Sequence, residues 1–291
     1  MPEEQAVVSV FDRSFLYGDG LFETMLVRNG KPFRWVQHLE RLRRGADFLK
    51  IKLPFSAEEL RDFAGKLVEK NSMPNALLRL TLSRGVGVRG YSPQGAEKPT
   101  LVMSLHPAAL ALAPSFSPAG SGGEGARRAG EGIPLHWKLI TSSHRLPANE
   151  PLAQFKTANK LAQILARAEA DAAGADEALL ISTDGYVAEA TSSNLFWIED
   201  GVVCTPPLAS GILPGVTRTI VFEIGRSLGA AVQESNIAKA ELIEAEAVFL
   251  TLSSMGVVEA IELDSKSLKQ SPLVEKIQSA YTQLVEAETA A

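Results

Sequence analysis

The chain has 291 residues, of which 45% are hydrophobic and 22% charged, and its formal net charge is −5 at pH 7. These values are typical of a globular protein with room for two domains of ordinary size. Lysine and arginine are scattered along the chain, so the composition excludes the basic surface of a nucleic-acid-binding protein. No uncharged apolar run is long enough to span a membrane.

Cysteine content and the first residues bear on the cellular compartment. Cys204 is the single cysteine, so no intrachain disulfide can form and a reducing compartment is expected. The first six residues, MPEEQA, are acidic and lack the basic and apolar regions of a secretory signal. We therefore expect a cytoplasmic protein without a membrane partner. No cluster of metal ligands is predicted.

Residues 1–112 predict an N-terminal α+β domain. Alternation in the strand expected at 21–27 puts Phe22 and Thr24 on one face and Glu23 on the opposite face. The other predicted elements are strands at 7–10, 76–82 and 99–105, a hairpin turn at 29–30, and helices at 35–49 and 56–70.

A stretch rich in proline, serine, glycine and alanine at 113–132 predicts an interdomain linker. The remainder, 133–291, predicts a larger C-terminal domain. Its helices are expected at 157–173, 216–228, 238–244 and 272–288, and its strands at 135–140, 178–182, 186–189, 195–198, 202–205, 247–252 and 257–261.

The helix predicted at 157–173 has an apolar face at helical spacing, with which it is expected to pack under the sheet. That face consists of Leu161, Ile164, Leu165 and Ala168. Gly174 follows as the terminating residue that such helices favour.

Lys156 directly precedes this helix, and Glu189 lies at the far end of a strand in the same unit. A rigidly held amine and a carboxylate around one pocket are what an aldehyde cofactor with a basic ring nitrogen requires. Lys156 and Glu189 are therefore the candidate catalytic residues.

The loop at 85–93 allows two interpretations. Its three glycines and one proline are typical of a flexible hairpin tip. Arg89 and Tyr91, which flank a glycine at that tip, are also suited to hold a substrate carboxylate. We favour the substrate-binding interpretation.

Two other segments are equally ambiguous on their own. Arg41, one turn beyond His38 on the helix at 35–49, could be a solvated arginine beside a packed structural histidine. The approach to the helix at 216–228 could be a plain helix cap or an anion site built from the backbone N–H groups of Val216 and Thr217.

Five separated motifs decide between these interpretations. Each would be weak alone, but together and in this order they are specific, and they extend over nearly the whole chain. They are YGDGLFET at 17–24, HLERL at 38–42, KTAN at 156–159, EATSSN at 189–194 and GILPGVTR at 211–218. With them the chain resembles the class IV aminotransferases, the fold-type IV group of pyridoxal-phosphate enzymes that includes branched-chain aminotransferases, D-amino-acid aminotransferases and 4-amino-4-deoxychorismate lyases.

The resemblance implies a two-domain α/β (α+β) fold, with a smaller N-terminal domain, a larger C-terminal domain and pyridoxal 5'-phosphate between them. It implies that Lys156 binds the cofactor covalently and moves the substrate's protons, while Glu189 keeps the pyridine nitrogen protonated. It further implies a homodimer. The remaining cofactor contacts implied are Arg41, Val216, Thr217 and Ser253 at the phosphate and Leu213 on the ring face.

Which reaction follows is also a matter of resemblance. The segments at 22–24 and 89–92 look like those of 4-amino-4-deoxychorismate lyases, which release pyruvate and 4-aminobenzoate in folate biosynthesis. Thr24 would then be a third catalytic residue, and Phe22, Arg89 and Tyr91 would bind the amino substrate. Phe22 replaces the tyrosine of D-amino-acid aminotransferases.

Two rivals stand beside the lyase. One is a transaminase acting on D-amino acids or branched-chain amino acids with 2-oxoglutarate or pyruvate, although the Gly-Asn-Tyr typical of branched-chain enzymes is missing around Asn159 and Lys160. The other is a catalytically silent binding protein of the same fold, which would have no reason to keep both Lys156 and Glu189.

Overall fold

The computed structural model describes residues 2–108 and 136–290. Contacts divide the chain into two compact units: unit 1 contains Met1–His106 and Phe155–Lys160, and unit 2 contains Pro107–Gln154 and Leu161–Ala291. The linker predicted at 113–132 lies outside the described residues. Residues 155–160 group with unit 1, whereas the sequence-based division put them in the C-terminal domain.

Unit 1 is a four-stranded sheet with helices packed on it. The strand order is β2-β1-β3-β4. The strands are β1 Gly20–Arg28, β2 Lys31–Pro32, β3 Ala76–Ser83 and β4 Thr100–Pro107, and the helices are α1 Arg13–Tyr17, α2 Trp35–Leu49 and α3 Ala57–Asn71.

Most predictions for this unit are confirmed within two residues. Ser56 and Glu59 form the predicted capping box at the start of α3. The strand predicted at 7–10 is wrong, because these residues are exposed and pair with no strand. Sequence analysis also missed α1, which begins at Arg13 and is capped by Asp12, whose side chain accepts a hydrogen bond from the Ser14 N–H.

The predicted alternation of β1 is confirmed. Glu23, Met25 and Val27 are fully buried, whereas Thr24 and Leu26 are half-buried on the opposite face. The buried face of β1 packs against α2. The sheet therefore carries a carboxylate, that of Glu23, into its hydrophobic core.

Unit 2 is built on a second sheet. Its helices are α4 Leu161–Ala173, α5 Val216–Ser227, α6 Lys239–Glu244 and α7 Pro272–Thr289. Its strands are β5 His136–Leu146, β6 Glu177–Ser182, β7 Val187–Ala190, β8 Asn194–Glu199, β9 Val202–Thr205, β10 Val232–Glu234, β11 Ala247–Leu252, β12 Gly256–Leu263 and β13 Lys266–Ser267.

This sheet closes on itself. The strand order is β10-β9-β8-β11-β12-β5-β6-β7, and β7 also pairs with β8. The closing pair is Glu189 with Asn194, so six strands form a ring and β9 and β10 extend it on one side. Residues from all six strands meet in one hydrophobic cluster that includes Trp137 and Trp197. Glu189 therefore lies at the seam of a barrel.

The helix predicted at 157–173 differs from α4 in two ways. It begins at Leu161, because residues 156–158 are extended and pair with β1. Its buried residues are Ala166 and Ala170, whose small side chains allow the helix to lie close to the sheet. The expectation that the face of Leu161, Ile164, Leu165 and Ala168 packs under the sheet is wrong: all four are exposed, Leu161 by 69% and Ile164 by 61%.

Within the described residues, no helix combines the length and the apolar character needed to cross a bilayer.

The backbone at Gly211, where the motif at 211–218 begins, gives a test of this packing. Gly211 has a φ of +80°, and a Cβ there would lie 2.3 Å from the Pro147 carbonyl oxygen. Gly201 has a φ of +72° with open space around it. We expect Gly201→Ala to cost about 1 kcal/mol of unfolding free energy, from backbone strain alone. Gly211→Ala should cost at least twice as much, measured by urea unfolding, because backbone must also move. If both substitutions lowered the unfolding free energy equally, the backbone at Pro147 would have to move away from the new Cβ without loss of stability.

Candidate active site

Lys156 is held by the backbone of unit 1. The Phe22 N–H donates to the Lys156 carbonyl at 2.9 Å, and the Ala158 N–H donates to the Gly20 carbonyl at 2.9 Å. Residues 156–158 thereby extend the sheet along β1. The Lys156 side chain is half-buried, with Nζ 4.7 Å from the centroid of the Phe22 ring. A β-bridge to β1, rather than a helix start, therefore fixes the backbone at Lys156.

The face of β1 that carries Phe22 is positively charged. Arg79 pairs with Thr24 across the sheet and places its guanidinium carbon 4.0 Å from the Phe22 ring centroid. Burial lowers the pKa of Arg79. Phe22, Thr24, Arg79 and Lys156 thus share one region, which combines two cations with a hydroxyl and suits an anionic ligand. Sequence analysis did not identify Arg79.

Arg41 and His38 both contact the buried Glu23. Arg41 donates from Nε to one carboxylate oxygen at 2.8 Å and from Nη2 to the other at 2.6 Å, and His38 Nδ1 lies 2.7 Å from the second oxygen. Burial opposes ionisation of Glu23, but the Arg41 charge outweighs it and lowers the pKa of Glu23 to about 2. The pKa of His38 is lowered, chiefly by burial. His38 is therefore structural, as expected, and phosphate binding by Arg41 stays a prediction.

Glu189 of unit 2 is oriented by two hydrogen bonds to one oxygen, Oε2. The Leu213 N–H donates to it at 2.9 Å and Asn194 Nδ2 at 3.2 Å. Asn194 Nδ2 also donates to the Leu213 carbonyl at 2.8 Å. A Cβ on Gly215 would lie 2.0 Å from Asn194 Oδ1, so glycine is needed there for this arrangement. Asn194 is a positioning residue that sequence analysis quoted only as part of a motif.

A second carboxylate fixes the turn between β7 and β8. Glu177 is fully buried and accepts hydrogen bonds from the Ala178 N–H at 2.9 Å, from Ser192 Oγ at 2.7 Å and from Thr191 Oγ1. These bonds satisfy both buried carboxyl oxygens and hold the turn in place. The seam that carries Glu189 is therefore rigid on both sides.

Unit 2 also contains donors suited to a phosphate group. The first turn of α5 contains Val216 and Thr217, both buried, and its N-cap Gly215 provides no side-chain cap. Within the described residues, the buried hydroxyls of Ser193 and Thr251 have no hydrogen-bond partner. An unsatisfied buried hydroxyl is costly, so two of them in one unit with an uncapped helix end fit a bound anion.

Three further residues of unit 2 bear on such a site. Ser253 is half-buried in the turn between β11 and β12. Thr251 pairs with Asn194 across β11 and β8, which places it beside the seam. Leu213 is half-buried, and its backbone binds Glu189 and Asn194. The described residues contain no group of three or more histidine, cysteine or acidic side chains placed to bind a metal ion.

Comparison with known proteins identifies the family. The family model for amino-transferase class IV matches residues 20–263. A putative branched-chain-amino-acid aminotransferase from Methanocaldococcus jannaschii is 33% identical over 273 residues, covering 94% of this chain and 88% of the relative. An aminodeoxychorismate lyase from Vibrio harveyi is 33% identical over 261 residues, covering 87% and 86%.

A solved structure agrees. The branched-chain amino acid aminotransferase of T.th., complexed with N-(5'-phosphopyridoxyl)-L-glutamate, superposes with a TM-score of 0.83 at 27% identity, covering 98% of this chain and 91% of that one. The chain therefore belongs to amino-transferase class IV, a family of pyridoxal-phosphate-dependent enzymes of fold type IV. It is an enzyme, a lyase or an aminotransferase, and the silent binding protein considered above is set aside.

The buried Glu23 makes a pH dependence testable. Its pKa is lowered from 4.5 to about 2, so it stabilises the fold above pH 4.5, and that contribution is lost as the pH falls toward 2. The shift corresponds to about 3 kcal/mol. We expect the difference in unfolding free energy between wild type and Glu23→Gln to shrink by about 2 kcal/mol between pH 6 and pH 3, measured by urea unfolding, because the remainder is lost only below pH 3. Glu40→Gln, which removes an exposed carboxylate from the same α2 helix, should show no such change. A pH-independent difference for Glu23→Gln would contradict the assignment.

The unpartnered Thr251 hydroxyl allows a second test. Thr251→Val removes an unsatisfied polar group at nearly constant shape, so we expect the cofactor-free protein to gain up to about 1 kcal/mol of stability. Affinity for pyridoxal phosphate should fall about tenfold, because a phosphate donor is lost. Thr205 is the matched control, since its hydroxyl donates to the Leu195 carbonyl at 2.8 Å. Thr205→Val should destabilise the protein without weakening cofactor binding. Thermal unfolding measures the stability of the two variants, and cofactor titration measures their affinity for pyridoxal phosphate. If Thr251→Val and Thr205→Val changed both quantities in the same way, Thr251 would bind no phosphate.

Proposed function

We propose that the protein is a 4-amino-4-deoxychorismate lyase that releases pyruvate and 4-aminobenzoate. The observation that carries the proposal is the face of β1, where the Thr24 side chain lies on the same side as Phe22, over whose ring the Lys156 amine lies 4.7 Å away. A hydroxyl on the same strand face as the ring that the proton-transferring amine contacts suits a reaction in which an oxygen-bearing group must leave. The relatives named aminodeoxychorismate lyase support the same reaction.

The residues present suit pyridoxal phosphate. When bound, the cofactor supplies an aldehyde for the substrate's amino group and a ring that withdraws electrons. Lys156 would hold it covalently and then move protons, and the Glu189 carboxylate would hold a proton on the ring nitrogen. Leu213 would cover the ring face. Arg41, Val216, Thr217 and Ser253 would bind the phosphate, together with the unpartnered hydroxyls of Ser193 and Thr251.

Substrate recognition would come from the loop beyond β3. Arg89 and Tyr91 are exposed, Tyr91 by 88%, so their side chains are accessible to a ligand. A guanidinium and a phenol suit a carboxylate, and 4-amino-4-deoxychorismate carries two. Arg79 beside Thr24 adds a second fixed cation. This pattern favours a dianionic substrate over a simple aliphatic amino acid.

The alternative is a transaminase, supported by the relatives named branched-chain aminotransferase. It would use Lys156, Glu189 and the same phosphate contacts. The difference lies in the fate of the substrate, because transamination needs a 2-oxo acid acceptor and the lyase reaction does not.

Thr24 gives the sharpest test of the lyase. Purified protein with pyridoxal phosphate and 4-amino-4-deoxychorismate should release 4-aminobenzoate and pyruvate without any 2-oxo acid. Thr24→Val should lower kcat at least about a hundredfold if the hydroxyl takes part in proton transfer. Thr24→Ser should retain most of it, and both variants should keep the wild-type cofactor spectrum.

Lys156→Ala is the reference variant for complete loss of lyase activity. It should release no 4-aminobenzoate and form no borohydride-reducible link to the cofactor. Rapid conversion of the cofactor to its pyridoxamine form by D-alanine, D-glutamate or a branched-chain amino acid, with no 4-aminobenzoate, would reject the lyase and select the transaminase.

A further inference from the structure

The loop that carries Arg89 and Tyr91 closes around a buried arginine. Arg13, only 3% exposed, donates from Nη1 to the Gly90 carbonyl at 2.9 Å and to the Ser92 carbonyl at 3.1 Å, and from Nη2 to the Tyr91 carbonyl at 3.1 Å. Three consecutive carbonyl oxygens thus converge on one guanidinium. Such a cluster of carbonyl dipoles repels itself unless a cation occupies its centre.

The surroundings of Arg13 fix the guanidinium in turn. Its Nε donates to Asp19 at 2.8 Å, and its Cζ lies 5.1 Å from the centroid of the Tyr17 ring. Tyr17 also contacts the loop, because its hydroxyl accepts the Gly90 N–H at 3.2 Å and its ring meets Tyr91 edge to face at 5.6 Å. Gly90 has a φ of +112°, which other residues rarely adopt. The loop is therefore anchored from beneath and is not a free tip.

We propose that Arg13 is a positioning residue for substrate recognition: by anchoring the backbone of residues 90–92 it holds Arg89 and Tyr91 in the conformation that binds the substrate carboxylate. The inference rests on the proposed function, which gives Arg89 and Tyr91 their ligand. Arg13 itself does not bind substrate, because its donors are engaged with the loop carbonyls and Asp19. The two exposed side chains touch the ligand, and Arg13 determines where they are.

Lysine cannot replace arginine in this role. A guanidinium directs its N–H groups in a rigid planar fork, which here serves three carbonyls and one carboxylate at once. An ammonium on a flexible stem keeps the charge beside Asp19 but cannot span these acceptors. Arg13→Lys therefore separates the fork geometry from the charge.

Arg84 offers a matched control. It is also buried and also donates from Nε to Asp19 Oδ2 at 2.8 Å, but its remaining donors bind the carbonyls of Leu49 and Lys50. Arg84→Lys thus perturbs the same carboxylate without touching the loop carbonyls. Any effect of Arg13→Lys that Arg84→Lys lacks is due to the loop.

The experiment compares the two holoenzyme variants with wild type by steady-state kinetics and amide hydrogen exchange. For Arg13→Lys we expect KM for 4-amino-4-deoxychorismate to rise about tenfold, the loss of one charge-assisted hydrogen bond, with kcat within about twofold. Pyridoxal phosphate affinity should not change. Exchange in the peptide spanning residues 86–94 should be faster. Arg84→Lys should leave both KM and this exchange near wild type.

Three results would overturn the inference. They are unchanged exchange in Arg13→Lys, faster exchange with an unchanged KM, and equal effects in both variants. Failure of the proposed function gives a different result, namely wild-type protein that forms no 4-aminobenzoate. In that case KM for the amino donor that the protein transaminates replaces the lyase KM. If the protein turns over no amino substrate, an unchanged exchange rate rejects the anchoring and a faster one in Arg13→Lys alone supports it.

Discussion

The packing of unit 1 depends on satisfying one buried charge. Glu23 lies on the core face of β1 with no exposed surface, and an uncompensated carboxylate there would cost several kcal/mol. Arg41 and His38 of α2 supply the compensation. This requirement fixes the rotation of α2 about its axis and its position along β1, because only one register brings both side chains to the carboxylate. A purely apolar contact would allow α2 to slide.

The two catalytic candidates are held by different means. Lys156 is placed by main-chain hydrogen bonds to β1, which do not depend on side-chain identity. Glu189 is placed by the side chain of Asn194, the backbone of Leu213 and a turn tied to Glu177. The Lys156 side chain can therefore move while its backbone is held, whereas the Glu189 carboxylate is constrained at its oxygen Oε2.

Periodicity predicted most elements but not their partners. The alternation of β1 placed Glu23 on the core face correctly, because side-chain direction in a strand is fixed by a period of two. The same logic misjudged α4, where the apolar stripe of Leu161 and Ile164 faces outward and the alanines face the sheet. Helical spacing reports that a face is apolar, not which surface covers it. Asn194, Glu177 and Arg13 were missed as positioning residues because each also makes a contact that no local pattern encodes: Asn194 with Leu213, Glu177 with Ser192 and Arg13 with Tyr91.

At the seam of the barrel, the main chain of Glu189 serves the fold and its side chain serves the proposed reaction. Glu189 closes the ring of strands by pairing with Asn194 along the main chain. Its carboxylate takes no part in that pairing and accepts a hydrogen bond from the Leu213 N–H. Since main-chain pairing tolerates most side chains, a lineage could exchange or lose the carboxylate and keep an intact barrel. The same latitude does not exist at Glu23, where losing the carboxylate removes the counter-charge of the buried Arg41. Under the role proposed for Glu189, a substitution there would alter the reaction and leave the barrel folded.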